Sequence, residues 1–506
     1  MPSVIIIGGG ITGLSAAHFL EEQARVRGLA LDITLLEKSP RLGGVMQTEQ
    51  VSVAAADAKN AAKFLCEAGP DSLLTTKPAA IELCRKLGLG EQIIPSNDAR
   101  RKTFVLHRGA LQPLPDGLMF VVPTKIRPMF SSPLLSLAGK LRLALSPIFS
   151  PSPLPDSEDI SVEQYITARF GHEVSERLAE PLLNAVYGAD VRAMSARAVF
   201  PQLLALEKKH GSLWKGFARQ VAGREASSIS SGISSDGKPS TIFVTLRDGL
   251  ARLPEKVEQS LQATAIIRDE AVISVRRATK AGDATGKYLV ASDCAERVCD
   301  AVVVATPAPV AAEMVRELDV ALAGHLAEIV YHSVAIVALG YRSPSGELPV
   351  ATRPGAREWM GRGFGFVVPR GEGRETIACT WVHNKFDHRA PQGTALLRSF
   401  FGGARNAAID QLPDEQLLAT AKRELQSIMG LNAEPAFHRV FRWAACMPQY
   451  SVGHVGLLGR IAARLADNPG LHLAGNGYRG VGIPDCIQSA EQAAQGIIER
   501  FVHGGV

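Results

Sequence analysis

The stretch VIIIGGGITGLSAAHFL, residues 4–20, decides the fold class. Its run of β-branched residues predicts a short buried strand, and the apolar residues between Ser15 and Ala24 have helical spacing. Between strand and helix, Gly8, Gly10 and Gly13 form the G-x-G-x-x-G pattern of dinucleotide-binding turns. The chain therefore opens as an α/β protein with a glycine turn.

The second strand extends this interpretation. LDITLLE, residues 31–37, predicts a strand parallel to the first and ends at Glu37, whose carboxylate can accept hydrogen bonds from a ribose. Gly8 permits the tight turn, Gly10 lets the backbone approach a pyrophosphate, and Gly13 lets the helix pack on the strand. These features predict a dinucleotide site in a doubly wound, Rossmann-like domain.

The residues after Glu37 distinguish one dinucleotide from another. EKSPRLGGVMQT places Arg41, Gly43, Gly44 and Thr48 at fixed intervals after Glu37. This pattern resembles the E-x-x-x-R-x-G-G-x-x-x-T extension of FAD-dependent amine oxidases, phytoene desaturases and protoporphyrinogen oxidases. The resemblance implies that FAD is the cofactor and that Arg41 and the glycine pair wrap its diphosphate and ribityl chain.

Composition excludes several other classes. The 506 residues are 46% apolar and carry a net charge of +5 without a long basic run, which disfavours nucleic acid as a partner. The seven cysteines show no C-x-x-C pair and no ladder with histidine, so we expect a reducing cytoplasm and no metal site. The apolar N-terminus lacks the basic region of a signal peptide, and no uncharged run is long enough to span a bilayer.

Changes in sequence texture predict three parts. Residues 227–240, SSISSGISSDGKPS, are expected to form a mobile loop. Later strands are expected at 271–275, 288–290, 300–309, 334–341, 375–382 and 438–450. The expected organisation is an FAD-binding domain (1–77, 239–309 and 449–506), a sheet-bearing substrate domain (201–238 and 310–448) and a mainly helical insert with part of the substrate pocket (78–200).

Three further stretches narrow the resemblance. EAGPDSLLTTKP (67–78), EPLLNAVYGADVRAMS (180–195) and GNGYRGVGIPDCIQSAEQAA (475–494) resemble segments of the protoporphyrinogen/coproporphyrinogen oxidase family. The chain departs from the family at Leu73, which replaces a phenylalanine, and at Ala185 and the order Gly188-Ala189. These departures concern the substrate pocket more than the FAD site.

The family resemblance also implies which residues contact the ligands. The substrate contacts implied are Lys102, Ala185, Val186 and Tyr187, and the last helix is expected to direct its N-terminus at the pyrimidine edge of the flavin. The cofactor contacts implied are Gly8, Gly9, Gly10, Ile11, Thr12, Gly13, Glu37, Lys38, Arg41, Gly43, Gly44, Gly69, Pro70, Asp71, Ser72, Val272, Thr306, Gly475, Gly482, Ile483, Pro484 and Ile487.

The implied reaction is the six-electron oxidation of a porphyrinogen to a porphyrin in haem biosynthesis. Three hydrides would pass to flavin N5, with O₂ reduced to H₂O₂, and no catalytic side chain is assigned because none of the 12 histidines lies in a recognisable catalytic pattern. Arg100, Arg101, Lys102 and Arg108 are candidates to bind propionates at the pocket mouth. Both protoporphyrinogen IX and coproporphyrinogen III are expected to be oxidised, and protoporphyrinogen IX is favoured as the physiological substrate because it best represents the family.

Two alternatives stay open at this point. One is a flavin amine oxidase or carotenoid desaturase, which shares the whole FAD framework. The other is a non-catalytic FAD-binding redox sensor. Peripheral membrane contact is also open for residues 117–149, where apolar clusters alternate with Lys125, Arg127, Lys140 and Arg142, although internal packing is favoured. The sequence does not decide between a monomer and a homodimer.

Overall fold

A computed structural model describes residues 1–53, 62–119, 122–123, 127–226, 241–278, 287–342 and 361–503. The expected mobile loop at 227–240 and the cation Lys125 lie outside these residues. All structural statements below refer to the described part of the chain.

The first sheet has five strands, all parallel to their neighbours. Its order is Thr264–Ile267, Asp32–Leu36, Ser3–Ile7, Ala301–Val304 and Leu471–Leu473. The βαβ prediction is confirmed, because the helix Ile11–Val26 connects the first two of these strands along the chain. Strands from the start, middle and end of the sequence thus form one parallel sheet.

Both faces of this parallel sheet are buried, which explains its continuous β-branched runs. Val4 and Ile6 face a core shared with Ile11–Val26 and the last helix, Ile483–His503. Ile5 and Ile7 face the opposite core, which contains residues of the helices Ala308–Met314, Val320–Ala327 and His454–Ala466.

A second, seven-stranded sheet lies apart from the first. Its order is Phe437–Pro448, Tyr331–Arg342, Thr394–Gly402, Ala378–Trp381, Gly365–Val367, Thr103–His107 and Ala110–Pro113. The helix Asp414–Met429 packs on one face through its apolar side chains. The strands expected at 334–341, 375–382 and 438–450 are therefore confirmed.

The segment 78–200 is mostly helical, but it also supplies two strands of the seven-stranded sheet, Thr103–His107 and Ala110–Pro113. The sequence predicts a mainly helical insert here and does not identify these two strands, because two short strands around a tight turn leave a weak sequence signal. Its helices are Ala79–Lys86, Arg127–Ser131, Leu137–Leu145, Val162–Phe170, His172–Val174, Glu180–Tyr187 and Ala196–Val199, with a π-helical turn at Ser175–Ala179.

The helices Pro201–His210 and Leu213–Ala226 pack with this helical segment. Leu203, Leu213 and Phe217 belong to its hydrophobic core. Residues 201–226 therefore pack with the helical segment, whereas the sequence assigned them to the substrate domain. The division of the whole chain into domains stays a prediction.

The surface of residues 117–149 is partly apolar. Met129 and Leu143 are buried as expected, but Leu137 is 85%, Leu141 60%, Ile148 74% and Phe149 65% exposed. The preference for internal packing was wrong for these four side chains. Among the described helices, none has the length and apolar character needed to cross a bilayer.

Smaller elements connect the two large sheets. Thr48–Val53 pairs with Ala62–Glu67, and the helix Arg252–Ser260 lies beside the parallel sheet. The remaining strands are Leu73–Leu74, Ile93–Pro95 and Phe243–Leu246 in one sheet, Val272–Arg277, Tyr288–Ser292 and Glu296–Cys299 in another, and the pair Leu118–Met119 and Val122–Pro123.

Candidate functional site

The carboxyl ends of the parallel strands meet at one edge of the sheet, where ligands bind in doubly wound folds. Gly8, Glu37, Thr306 and Gly475 follow four of these strands directly or within two residues. Residues that are up to several hundred positions apart in the chain are therefore neighbours at this edge.

The glycine turn, residues 8–13, has the geometry that the sequence predicts. Gly8 has φ +104°, and a Cβ atom on Gly13 would lie 1.8 Å from the carbonyl oxygen of Gly8. Gly10 differs, because its φ of −70° suits any residue and an added Cβ would meet nothing within 4 Å. The fold itself does not require glycine at position 10, so the open space is a cradle for a ligand that approaches the backbone.

Glu37 both shapes the glycine turn and retains capacity to bind a ligand. One carboxylate oxygen accepts a hydrogen bond from the Gly9 amide at 2.6 Å, and the other accepts from the amide and hydroxyl of Ser39 at 2.9 and 2.6 Å. A carboxylate offers about four lone-pair sites. Three are used within the protein, which leaves room for a ribose hydroxyl.

A second glycine turn packs on the first. The Gly43 amide donates to the Gly9 carbonyl at 2.9 Å, and Gly43 and Gly44 have φ of +91° and +56°. The Arg41 guanidinium donates to the Gly44 carbonyl at 2.6 Å and so closes its own turn. Lys38 is exposed beside it. The direct contact of Arg41 with a diphosphate stays a prediction.

Thr306 contributes an unpaired polar atom at this edge. Its Oγ1 is buried and has no hydrogen-bond partner in the described structure, and its methyl group would lie 3.3 Å from a Cβ on Gly8. A buried hydroxyl without a partner is costly unless a ligand supplies one.

Val272 is the other residue from the middle of the chain that was predicted to contact the cofactor. It is buried in its own strand. Two residues earlier, the Glu270 amide donates to the Glu37 carbonyl at 3.1 Å.

Residues 69–72 form the side of the site nearest the seven-stranded sheet. A Cβ on Gly69 would lie 2.1 Å from the Val45 carbonyl oxygen, so this segment, which continues through Pro70 and Ser72, packs tightly on the second glycine turn. The Asp71 carboxylate lies 2.8 Å from Lys385 Nζ and 3.5 Å from Arg398 Nη1. Arg398 also donates to the Gly69 carbonyl.

These ion pairs give Asp71 a structural role. Burial opposes its ionisation, but the cations of Lys385 and Arg398 outweigh burial and hold the pKa of the Asp71 carboxyl well below its usual range. Sequence reasoning missed both cations, because they lie more than 300 positions from Asp71 and belong to no recognisable motif. Cofactor contact by Asp71 and Ser72 stays a prediction.

The C-terminal loop, residues 475–482, completes the edge. Gly475 has φ +132°, and a Cβ placed there would lie 4.0 Å from Thr12 Oγ1 of the glycine turn. The last helix begins at Ile483, with Pro484 in its first turn. The Gly482 amide donates to Asp485 at 3.1 Å, and Asp485 pairs with Lys77 at 2.7 Å.

Asp485 fills part of the N-terminal end of this helix. Its carboxylate, a role not predicted from the sequence, accepts a hydrogen bond from one of the amide donors near the helix N-terminus. Ile11, Ile483 and Ile487 are 8%, 8% and 1% exposed and pack in the core between the first and last helices. The structure thus gives these three side chains a packing role.

Three of the four predicted substrate residues, Ala185, Val186 and Tyr187, belong to a helix of the helical segment. Tyr187 and Ala185 are partly buried at the end of the helix Glu180–Tyr187, while Val186 is 60% exposed. The Tyr187 ring centroid lies 6.5 Å from that of Tyr450, which borders the C-terminal loop. Burial, and to a lesser degree Asp485, raises the pKa of Tyr187 to about 12.

The four predicted propionate cations do not lie together. Arg100, Arg101 and Lys102 are exposed just before the strand Thr103–His107, whereas Arg108 follows that strand in a turn with φ +52°. At about 3.3 Å per residue, this strand separates Lys102 from Arg108 by roughly 20 Å. Arg108 is thus far from the other three candidates, and propionate binding by any of the four stays a prediction.

Among the described residues, no group of three or more His, Cys, Asp or Glu side chains could hold a metal ion. The open cradle at Gly10, the unpaired hydroxyl of Thr306 and the free capacity of Glu37 instead fit a nucleotide cofactor.

Comparison with known proteins agrees with this geometry. Residues 11–498 match the family described as flavin containing amine oxidoreductase. The chain is 35% identical to coproporphyrinogen III oxidase of Bacillus subtilis over 97% of its length and 96% of the relative, and 30% identical to that of Staphylococcus aureus over 99% of both.

A solved structure from Exiguobacterium, provisionally assigned as a protoporphyrinogen oxidase, matches with a TM-score of 0.80 and 29% identity over 99% of both chains. The cofactor implied by the fold, by the residues at the sheet edge and by the family is FAD. The chain belongs to the flavin containing amine oxidoreductase family, among its porphyrinogen oxidases.

Proposed function

We propose that the chain oxidises coproporphyrinogen III to coproporphyrin III in haem biosynthesis, with FAD as cofactor. The observation that carries this proposal is the 35% identity, over nearly the full length, to a relative named coproporphyrinogen III oxidase. The product has six electrons fewer than the substrate, so three molecules of O₂ would be reduced to three of H₂O₂. The sequence-based preference for protoporphyrinogen IX is thereby replaced.

FAD, when bound, supplies the acceptor for the hydrides that leave the substrate. The chain contributes binding and orientation. The turns at residues 8–13 and 43–44 offer backbone to the cofactor, and the helix Glu180–Tyr187 offers side chains to the substrate. Hydride transfer depends on holding the two reacting atoms close and aligned, so positioning is the main catalytic contribution.

Five tyrosine and histidine side chains in the region of the C-terminal loop have pKa values that are shifted by burial. Burial raises the pKa values of Tyr331, Tyr450 and Tyr478 and lowers those of His332 and His454. All five groups are therefore uncharged near neutral pH, so none of them is an ionised base. Hydride transfer that needs no such base agrees with this.

Anaerobic mixing with substrate is the primary test. Loss of the oxidised flavin absorption on adding coproporphyrinogen III, followed by release of three H₂O₂ per porphyrin in air, is the expected result. Reduction by a primary amine or a carotenoid precursor instead would favour the alternative enzymes. A flavin that no substrate reduces would favour the redox-sensor alternative.

Substrate choice is tested by kcat/KM on the two porphyrinogens. Coproporphyrinogen III carries four propionates, so we propose that Lys102, beside Arg100 and Arg101, binds one of them. Lys102→Met should raise the KM for coproporphyrinogen III several-fold, whereas Arg108→Met, at the far end of the same strand, is the matched control. A tenfold preference for protoporphyrinogen IX, about 1.4 kcal/mol, would reject the proposed substrate.

We also propose that the chain is cytoplasmic and touches an anionic membrane through the exposed stripe of Leu137, Leu141, Ile148 and Phe149. This stripe lies beside Lys140 and Arg142, a combination that suits peripheral binding. Salt-sensitive co-flotation with anionic liposomes, lost in Leu137→Gln/Leu141→Gln, is expected. A stripe that instead mediates a homodimer would show a concentration-dependent mass and no flotation.

A further inference from the structure

The C-terminal loop is held by side chains that lie far from it in the sequence. The Tyr450 hydroxyl donates to the Asn476 carbonyl at 2.5 Å and accepts from the Gly480 amide at 2.8 Å. One phenol thus closes the loop across four residues. Gly480 has φ +132°, a conformation that L side chains rarely adopt and that favours glycine.

A second tyrosine supports the same loop. The Tyr331 hydroxyl donates to the Asn476 side chain at 3.1 Å, and a Cβ on Gly477 would lie 2.5 Å from that hydroxyl oxygen. The Asn476 amide group also donates to the Cys446 carbonyl at 2.9 Å. Asn476 therefore makes two hydrogen bonds to the seven-stranded sheet, through Tyr331 and Cys446, and a third to Tyr450 just beyond its edge strand.

Tyr450 also contacts the substrate side of the site. Its ring stacks on His454, with centroids 4.4 Å apart and planes at 19°, and meets the edge of Tyr187 at 6.5 Å. Its backbone carbonyl accepts from the Ser195 amide at 2.7 Å. With 3% of its surface exposed, Tyr450 is fixed between the helical segment and the C-terminal loop.

We propose that Tyr450 is a positioning residue. Its hydroxyl fixes residues 476–480, and its ring contact with Tyr187 holds Tyr187 at a set distance from that loop. The proposal rests on the function proposed above, in which the helix ending at Tyr187 offers side chains to the substrate, and on the predicted contact of Gly475 and Gly482 with the flavin. Tyr450 acts through the loop and not on the reacting atoms. Removing its hydroxyl leaves the Asn476 carbonyl and the Gly480 amide without their partner.

The direct test needs neither cofactor nor substrate. In the full-length protein, amide hydrogen exchange over residues 476–482 should be about tenfold faster in Tyr450→Phe than in the wild type. A tenfold change corresponds to ~1.4 kcal/mol in the free energy of local opening. Tyr341→Phe is the matched control, because Tyr341 is equally buried but lies in the core under the helix Asp414–Met429. Tyr331→Phe should give a smaller acceleration in the same peptide.

The flavin-loaded enzyme supplies the second readout. Tyr450→Phe should weaken FAD binding several-fold, shift the visible flavin spectrum and lower kcat about tenfold with little change in KM. Unchanged exchange at 476–482 together with an unchanged spectrum would overturn the proposal. If wild-type enzyme oxidises no porphyrinogen, the proposed function fails, while faster exchange in Tyr450→Phe would still show that the hydroxyl fixes the loop.

Discussion

Two turns lie at the same edge of the parallel sheet but are stabilised in different ways. The glycine turn at residues 8–13 is held by groups of the adjoining βαβ unit, such as the Leu36 carbonyl and the Glu37 carboxylate. The C-terminal loop at residues 475–482 is held by Tyr331 and Tyr450, which belong to another part of the fold. A turn of the first kind can be predicted from a local motif, whereas one of the second kind depends on tertiary packing.

The largest expected effect separates ligand binding from folding within the glycine turn. Gly10→Val should abolish FAD loading and leave a folded protein, because position 10 has open space and an ordinary φ. The ratio of flavin absorbance to protein and the apparent Tm measure the two effects. Gly13→Ala is the contrasting variant, since its Cβ would collide with the Gly8 carbonyl and lower stability even without FAD. Full flavin occupancy in Gly10→Val would refute the cradle.

The next effect concerns the contact between the site and the seven-stranded sheet. Arg398→Met should destabilise the fold by about 3 kcal/mol, because it removes a buried partner of Asp71 and of the Gly69 carbonyl. The shift of the urea midpoint measures this loss. Arg192→Met, which breaks an ion pair whose arginine is 55% exposed, should cost less than about 1 kcal/mol. Equal losses in the two variants would contradict the anchoring role.

A smaller effect is expected at Glu37. Glu37→Ala should weaken FAD binding by roughly 10- to 150-fold, equivalent to about 1.5–3 kcal/mol for a charge-assisted hydrogen bond. Titration of the apoprotein with FAD measures it. Ser39→Ala keeps the carboxylate and removes one of its donors, so its affinity should stay close to that of the wild type. If both variants bind alike, Glu37 serves the turn and not the cofactor.

The smallest effect is a pH dependence at Asp71. Because the pKa of Asp71 is depressed in the folded state, its ion pairs stabilise the protein fully above the unfolded pKa, about 3.9. This stability is lost as the pH falls from there through the folded pKa. Apparent Tm should therefore fall less steeply below about pH 4 in Asp71→Asn than in the wild type. Parallel curves for the two proteins would show that Asp71 does not titrate in this way.

The sequence predicted the parallel sheet and its glycine turn well, because these depend on local requirements. Gly8 is needed for its positive φ, and Gly13 is needed for close packing against the Gly8 carbonyl. Both requirements appear in the sequence as glycines of a short motif. It failed for the strands at Thr103–His107 and Ala110–Pro113, which are short and gain their stability by joining an existing sheet. The sequence also does not show how far Arg108 lies from Lys102, because an extended strand separates these two residues.

The sequence by itself determined the fold class, the FAD framework and the family, because each rests on residues whose spacing is fixed by backbone geometry. Only the tertiary structure decided which side chains hold that framework in place. Arg398 and Lys385 meet Asp71 across more than 300 residues, and Tyr450 reaches the C-terminal loop from the end of a separate sheet. Buried polar groups need partners wherever the fold brings them, and no local pattern specifies which distant residue supplies the partner.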